Sequence, residues 1–325
     1  MAGRRPEIAV VVPSHDRPLR LRWLLNALEE QTLDRERWEV VVAHDSSGPE
    51  TEQILTEHPL AAAGMLRHVA LPPGTALPGR NRNAAWRLTE APVIAFTDDD
   101  CRPPADWLAN ALAAAQRHPG VIVQGATMPD PEEGEIGRTA PHSHSQSIWP
   151  PTRRAEACNI VYPRDVLERC GGFPEDMLVG EDTALARTAQ EQGVALVGAT
   201  EVVTRHAIDE VSLARLLRGS WRWQGLPLLI RRHPSTRAHF PLGVFWKRTH
   251  VWAPFAVAGV ALMRRSRLAS LLAIPYLIHA TPDRHGQHPR GRIRSILELP
   301  GQFALDVSEM AALAWGSIKH RTFFL

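Results

Sequence analysis

Three adjacent carboxylates, Asp98, Asp99 and Asp100, form the strongest chemical signal in the sequence. Carboxylates in a row repel one another unless a cation or a basic group lies close by. Mg²⁺ and Mn²⁺ prefer such oxygen ligands and are often shared with the phosphates of a substrate. A solvated acidic turn is the alternative. Because the triplet directly follows the apolar segment 93–96, the pattern favours a divalent-cation site at the end of a strand.

A second acidic pair, Glu181 and Asp182, follows Gly180 at a predicted loop-to-helix junction. A carboxylate there can act as a general base or cap the helix. Both roles are compatible, because the positive end of a helix dipole keeps an Asp ionised. Arg80 opens another predicted helix, where it could meet a diphosphate, a base edge or the carboxylates. His206 ends a β-branched run, either as a structural histidine or as a metal ligand.

The elements that must position these side chains alternate between strand and helix through about the first 205 residues. The continuous apolar run 8–12 predicts a buried parallel strand, and leucines from Leu21 to Leu28 recur at helical spacing. This order predicts an α/β fold with a doubly wound, mostly parallel sheet, whose ligands bind at the carboxyl ends of the strands. Residues 128–157 predict a long loop. The other predicted strands are 38–42, 65–71, 93–96 and 121–123, and the other predicted helices are 77–88, 107–115 and 182–192.

The net charge of +2 over 325 residues hides a division of the chain. Residues 1–204 carry a net charge of −10 and residues 205–325 one of +12. We therefore expect a catalytic domain over 1–206 and a basic, helical region over 207–325. Hydrophobic residues at 44% and charged residues at 22% exclude disordered and collagen-like classes. Three scattered cysteines argue against a zinc site or a disulfide framework and favour a reducing compartment.

Five segments, in order, resemble the motifs of family 2 glycosyltransferases with the GT-A fold, a Rossmann-like sheet flanked by helices. The resemblance covers about residues 7–230. Each motif is weak or moderate alone, but five at sensible spacing form a strong signal. The segments are IAVVVPSHDR at 8–17, EVVVAHDSS at 39–47, GRNRN at 79–83, AFTDDDCRPPADWL at 95–108 and GGFPEDMLVGEDTALAR at 171–187.

The resemblance implies a role for each matched position. It assigns Asp182, beside Glu181, as the base that deprotonates an acceptor hydroxyl. It assigns Asp100, with a looser match at His206, to a divalent cation, Mn²⁺ or Mg²⁺. On the acceptor side, Arg222 and Trp223 are weaker assignments, since Gly219 stands where a full QxxRW motif has its glutamine. Trp149 is an acceptor-side candidate on other grounds, because it lies in the predicted loop 128–157, which matches no motif of the family and is expected to shape the acceptor site. The positions expected to contact the nucleotide sugar are Pro13, Ser14, Asp45, Arg80, Asp98 and Asp99.

The expected function is an inverting, metal-dependent transfer of a sugar from a nucleoside-diphosphate sugar to a hydroxyl. UDP- or TDP-linked donors are expected, although His44 replaces an acid that the family usually carries and leaves the nucleotide preference open. The expected acceptor is a glycan, a lipid-linked sugar or a small molecule, in envelope polysaccharide or glycolipid synthesis. A non-catalytic scaffold with the same fold and a nucleotidyltransferase are the alternatives.

The basic region after residue 206 predicts peripheral contact with anionic lipid at the cytoplasmic face of the plasma membrane. Trp221, Trp223, Trp246 and Trp252 are aromatics of the kind found at membrane interfaces. The apolar runs 252–263 and 268–280 are too short to span a bilayer. They either contact the membrane or form the core of a soluble helical subdomain. Nucleic-acid binding is not expected, because no recognised motif accompanies the charge.

Overall fold

A computed structural model describes residues 5–74, 77–281 and 289–325, with the side chains of 289–292 left aside. The chain forms two compact units. Met1–Pro131 and Ser145–Ala207 make up the first, and Glu132–His144 and Ile208–Leu325 the second. The segment 128–157, predicted as one loop, is therefore divided between the units.

The first unit is built on an eight-stranded sheet of order β3-β2-β1-β4-β7-β6-β8-β5. The pairs β1–β2, β2–β3, β1–β4 and β6–β8 are parallel, whereas β7 is antiparallel to both its neighbours and β5 is antiparallel to β8. A mostly parallel α/β sheet is thereby confirmed. The strands are β1 (Ile8–Ser14), β2 (Trp38–His44), β3 (Leu66–Ala70), β4 (Val93–Thr97), β5 (Cys101–Arg102), β6 (Ile122–Pro129), β7 (Asn159–Pro163) and β8 (Leu196–His206).

Helices cover the sheet because each presents an apolar stripe to it. In α1 the stripe of Leu21, Leu24, Leu25 and Leu28 is fully buried, as the spacing predicts. The helices of the chain are α1 (Pro18–Glu29), α2 (Glu50–Glu57), α3 (Pro59–Ala62), α4 (Pro78–Trp86), α5 (Trp107–Arg117), α6 (Gly134–Thr139), α7 (Arg164–Cys170), α8 (Glu181–Glu191), α9 (Leu213–Ser220), α10 (Leu226–Arg232), α11 (Arg248–Leu262), α12 (Ile274–Ala280), α13 (Pro289–Leu297) and α14 (Leu299–Lys319).

The register of the sheet brings the functional segments to one edge. Ser14 of β1 pairs with His44 of β2, and the parallel strand β4 ends beside β1 at Thr97. The residues after these strands therefore meet at their shared carboxyl ends. This edge holds Asp45 and the triplet that begins at Asp98.

The second unit is helical, as expected for the end of the chain. Short 3₁₀ segments connect its α-helices, including Trp221–Gly225 and Arg267–Ala273. Its interior holds a polar network in which Glu309 of α14 accepts hydrogen bonds from Lys247 Nζ and lies 3.2 Å from His250 Nε2. Throughout residues 5–74, 77–281 and 289–325, no helix has both the length and the apolar character needed to cross a membrane.

Candidate active site

The carboxylates of the triplet face different partners. Asp99 is buried, accepts a hydrogen bond from Ser14 Oγ at 2.8 Å and lies 3.3 Å from the backbone nitrogen of His15. Burial, followed by repulsion from Asp100, raises the pKa of Asp99 to about 7. The strand end thus holds more negative charge than its own partners neutralise.

Asp100 has one paired and one unpaired oxygen. Its Oδ2 pairs with the guanidinium of Arg17. Its Oδ1 is buried and has no hydrogen-bond partner in the described part of the chain, yet it lies 3.4 Å from Nε2 of His206. A buried carboxylate oxygen without a donor is costly, and a cation is one way to satisfy it.

The orientation of His206 supports the same conclusion. His206 ends β8, opposite Cys101 of β5, so the sheet carries its ring to the triplet. Its Nδ1 lies 2.8 Å from the carbonyl oxygen of Ala207, to which it can donate only when protonated. That tautomer leaves a lone pair on Nε2, which also lies 3.1 Å from the amide nitrogen of Gln146. Asp100 and His206 therefore fit as ligands of a divalent cation.

Asp98 joins the other acidic pair through Arg82, which sequence reasoning did not select. The buried guanidinium donates to Asp98 Oδ1 and to Glu181 Oε1, both at 2.8 Å. These two carboxylates raise the pKa of Arg82 although its burial opposes them. Arg80, the arginine that the sequence predicted instead, lies two residues earlier. It is half-buried and interacts electrostatically with Glu175. Both arginines lie in one motif, and only the packing of α4 distinguishes them.

Two glycines allow α4 to come this close to the segment before α8. A Cβ at Gly79 would lie 2.8 Å from the carbonyl oxygen of Pro174 and 3.3 Å from Cγ of Glu181. Gly172 has φ +82°, and a Cβ there would lie 2.4 Å from Oδ1 of Asn83. Asn83 in turn donates to the carbonyl oxygen of Phe173 at 2.8 Å and accepts from its backbone N–H at 2.9 Å. The GRNRN and GGF motifs thus fold into one structure that holds Arg82 against Glu181.

Asp182 lies in the first turn of α8, two residues after Gly180, which has φ +80°. Its Oδ1 accepts a 2.7 Å hydrogen bond from the backbone N–H of Thr183. Burial, then repulsion from Glu181, raises the pKa of Asp182 to about 7. A carboxyl with this pKa changes protonation near neutral pH, as a general base requires.

On the opposite side of the triplet, Asp45 is fully buried at the end of β2. Its Oδ1 lies 2.9 Å from His15 Nδ1 and accepts from Asn81 Nδ2 at 3.1 Å. His44, at the position where the family usually has an acid, instead contacts Glu52 Oε2 at 3.0 Å. Pro13 of β1 is half-buried beside this group. Sequence reasoning did not select His15 and Asn81, although both stand inside the quoted motifs.

The three residues predicted for the acceptor side are placed differently. Trp149 belongs to the first unit and its side chain is 72% exposed. Its neighbours are fixed, because Ile148 exchanges two backbone hydrogen bonds with Thr127 and the backbone of Pro150 packs against Gly198. Arg222 and Trp223 belong to the second unit, where the ring of Trp223 contacts that of Trp246 at a tilt, with centroids 3.9 Å apart.

The family model described as glycosyl transferase family 2 matches residues 9–173, which contain Asp45, Arg82 and the acidic triplet but not Asp182 or His206. The chain belongs to glycosyl transferase family 2. It is also similar to the glycosyltransferase AglE of Haloferax volcanii, with 24% identity over 211 residues, or 63% of this chain and 68% of AglE.

Two solved structures share the fold of this family 2 glycosyltransferase. One is the mannosyltransferase PcManGT of Pyrobaculum calidifontis in complex with GDP-Man and Mn²⁺, at a TM-score of 0.57 and 19% identity, covering 98% of this chain and 87% of that one. The other is S. aureus TarS 1–349 in complex with UDP-GlcNAc, at a TM-score of 0.53 and 17% identity, covering 98% and 93%. The expected GT-A fold and the expected glycosyltransferase class are both confirmed.

Proposed function

We propose that this glycosyltransferase transfers a sugar from a nucleoside-diphosphate sugar to an acceptor hydroxyl with inversion at the anomeric carbon, aided by a divalent cation. The observation that carries the proposal is the double ion pair of Arg82 with Asp98 and Glu181. It fixes the triplet, which holds the donor, beside Asp182, which activates the acceptor. Reacting groups held in this way gain rate through proximity and orientation.

The donor side is formed by the ends of β1, β2 and β4. Asp45, positioned by His15 and Asn81, is assigned to the nucleoside together with Pro13 and Ser14. Asp98 and Asp99 are assigned to the sugar nucleotide, with Arg80 nearby. UDP- or TDP-linked sugars are the proposed donors. In support of a nucleotide sugar, the two similar structures hold GDP-Man and UDP-GlcNAc.

Asp100 and His206 are the proposed ligands of Mn²⁺ or Mg²⁺, because the unpartnered Oδ1 of Asp100 faces Nε2 of His206 at 3.4 Å. When bound, the cation offsets the negative charge that develops on the departing diphosphate. Arg17, paired with Asp100, neutralises the same carboxylate from the other side. The Mn²⁺ in the PcManGT structure supports this assignment.

Asp182 is the proposed general base. The hydroxyl oxygen bonds to the anomeric carbon as the bond from that carbon to the diphosphate oxygen breaks. Asp182 takes the hydroxyl proton, and the nucleoside diphosphate leaves with the bonding electron pair. Attack opposite the leaving group inverts the configuration in a single displacement. Glu181 stays paired with Arg82 and keeps the helix terminus in place.

The test compares Asp182→Asn, Asp100→Asn and the surface control Asp106→Asn. Loss of the base is expected to lower turnover by about 10²–10⁴-fold, with nucleotide binding retained. Asp100→Asn is expected to weaken Mn²⁺-dependent nucleotide binding in calorimetry. Full turnover of a matched donor–acceptor pair by both variants would exclude the proposal. A screen of nucleotide sugars for slow hydrolysis identifies the donor to use.

For the acceptor we propose a glycan, a lipid-linked sugar or a small molecule, in envelope polysaccharide or glycolipid synthesis. The indole of Trp149 is the proposed stacking surface for this acceptor. It is exposed to solvent, and backbone hydrogen bonds fix the position of its neighbour Ile148. Arg222 and Trp223 remain proposals for the same role. We also propose that the protein acts at the cytoplasmic face of the plasma membrane, which the net charge of +12 over residues 205–325 supports.

A further inference from the structure

The second unit contains a helical hairpin whose large apolar side chains face outward. The hairpin runs from Arg248 to Ala280 and consists of α11, the 3₁₀ segment Arg267–Ala273 and α12. Eleven of its large hydrophobic side chains are exposed. They are Phe255, Val257, Val260, Leu262, Met263, Leu268, Leu271, Leu272, Ile274, Leu277 and Ile278.

The apolar part of α11 turns small residues to the interior instead. Ala253, Ala256 and Gly259 are the buried positions through the apolar part of α11. A Cβ at Gly259 would lie 2.7 Å from the carbonyl oxygen of Ala269 and 3.1 Å from Cβ of Leu272, so the two arms are in close contact. A helix of a water-soluble domain buries its large apolar side chains. This hairpin has the reverse arrangement, and an apolar surface of this size marks an interaction site.

The charges of the hairpin identify the partner. Its tip carries Arg264, Arg265 and Arg267, all exposed, and no carboxylate of the described residues pairs with them. The sequence from 249 to 278 contains no Asp or Glu. Apolar side chains next to unopposed arginines match the acyl and headgroup layers of an anionic lipid surface. A second copy of this chain fits less well, because the arginines of two such tips would repel each other.

The dimensions of the hairpin fit insertion into one leaflet. The 15 residues of α11 extend about 22 Å, less than the roughly 30 Å of a bilayer core. We propose that residues 255–278 dock the enzyme on an anionic membrane, with the apolar side chains in the interfacial layer and the arginines at the lipid phosphates. This rests on the peripheral membrane contact proposed above and assigns it to one element.

The test is cosedimentation of the full-length protein with vesicles of phosphatidylcholine alone or mixed three to one with phosphatidylglycerol. We expect binding to the mixed vesicles and little to the neutral ones. Leu268→Glu with Leu271→Glu is expected to weaken binding at least tenfold. Replacing Arg264, Arg265 and Arg267 with Glu is expected to weaken binding by about a hundredfold, since each arginine near anionic lipid contributes about 1 kcal/mol.

The control variants make the same changes at exposed groups of the first unit. Leu19→Glu with Leu88→Glu, and Arg22, Arg35 and Arg67 replaced with Glu, are expected to bind as the unaltered protein does. Circular dichroism checks folding of every variant. If the leucine variant misfolds, the arginine variant decides the matter, because its changes lie at the solvent-exposed tip.

Each contrary result has a distinct meaning. Equal vesicle binding by the unaltered protein and both hairpin variants would leave membrane contact in place but overturn the hairpin as its site. No vesicle binding by any form would overturn both. A dimer that the leucine variant converts to a monomer, without vesicle binding, would identify a second copy as the partner. Donor hydrolysis without vesicles tests sugar transfer separately, so failure of either proposal is recognised.

Discussion

The two units of this glycosyltransferase bury their apolar side chains in opposite ways. In the first unit, the strands and α1 direct valines and leucines inward until they are fully covered. Most of the large hydrophobic side chains that are exposed in the described chain lie in the second unit, although it has fewer residues. The first unit therefore buries most of its large apolar side chains, whereas the second exposes a large apolar surface.

The two units also differ in whether their arginines are paired with carboxylates or exposed to solvent. In the first unit, Arg82 is enclosed by two carboxylates and Arg17 pairs with the triplet. In the hairpin of the second unit, the arginines from Arg264 to Arg267 are exposed and unpaired among the described residues. The arginines of the first unit are thus held by ion pairs, whereas those of the hairpin remain in solvent.

The largest expected effect on stability comes from breaking the ion-pair network of Arg82 in the first unit. Arg82→Met leaves two carboxylates without their shared cation and is expected to lower the free energy of unfolding by about 3–5 kcal/mol. Arg80→Met, two residues away, is expected to change it by no more than about 0.5 kcal/mol. Urea denaturation measures both. Equal losses would mean that the ion pairs of Arg82 do not matter to folding.

A matched pair of leucines tests the difference in apolar burial. Leu24→Ala removes a fully buried side chain and is expected to lower the free energy of unfolding by about 2–5 kcal/mol. Leu271→Ala removes an exposed one and is expected to change stability in water by no more than about 0.5 kcal/mol. A large loss in urea denaturation of Leu271→Ala would show that the hairpin surface is covered in solution.

The polar network inside the second unit should have an intermediate effect. Glu309→Gln removes the charge that Lys247 and His250 face and is expected to lower the free energy of unfolding by about 1–3 kcal/mol. The control Glu298→Gln weakens an i,i+4 pair with Arg294 and is expected to lower it by about 0.3–0.5 kcal/mol. The comparison fails if urea denaturation gives both variants the same midpoint.

The smallest expected effect on the reaction rate is a pH dependence that arises at the acidic site of the first unit. With the pKa of Asp182 at about 7, transfer is expected to rise about tenfold from one pH unit below that value to one above. The raised pKa also means that the folded state holds a proton more tightly than the unfolded chain. Stability should therefore fall as pH rises from the ordinary carboxyl range to about 7.

Asp182→Asn is expected to abolish the rising limb of the rate profile and reduce the slope of stability against pH. Vesicle binding by this variant should depend on pH as it does for the unaltered protein, because the arginines of the hairpin stay charged. A rate profile of Asp182→Asn parallel to that of the unaltered enzyme would contradict the assignment of the base.

Local signals were sufficient for the parallel strands β1, β2 and β4 of the sheet. The runs at 8–12, 38–42 and 93–96 each became a strand extended by one or two residues, because short β-branched runs in an α/β order have few other solutions. The strands β7 and β8 were not predicted individually. The antiparallel pairing of β7 and the irregular register of β6 with β8 are long-range features without a local period.

The candidate site was partly predictable, because some of its residues lie at the ends of predicted strands and helices. The acids after β4 and before α8 were visible as residues at element ends. The choice of Arg82 over Arg80, the pairing of His15 with Asp45, and the contact of Arg17 with Asp100 depend on side-chain direction and on approaches allowed by Gly79 and Gly172. Spacing along the chain does not encode these distances.

The sequence alone determined the α/β sheet, the order of the acidic motifs, the family and the charge difference between the two parts of the chain. Each of these depends on residue type and short-range periodicity, which are local quantities. The tertiary structure decided which arginine joins the two acidic pairs and which side of the 252–263 and 268–280 runs faces outward. Both depend on where a side chain points, and that orientation is fixed only when its helix packs against another element.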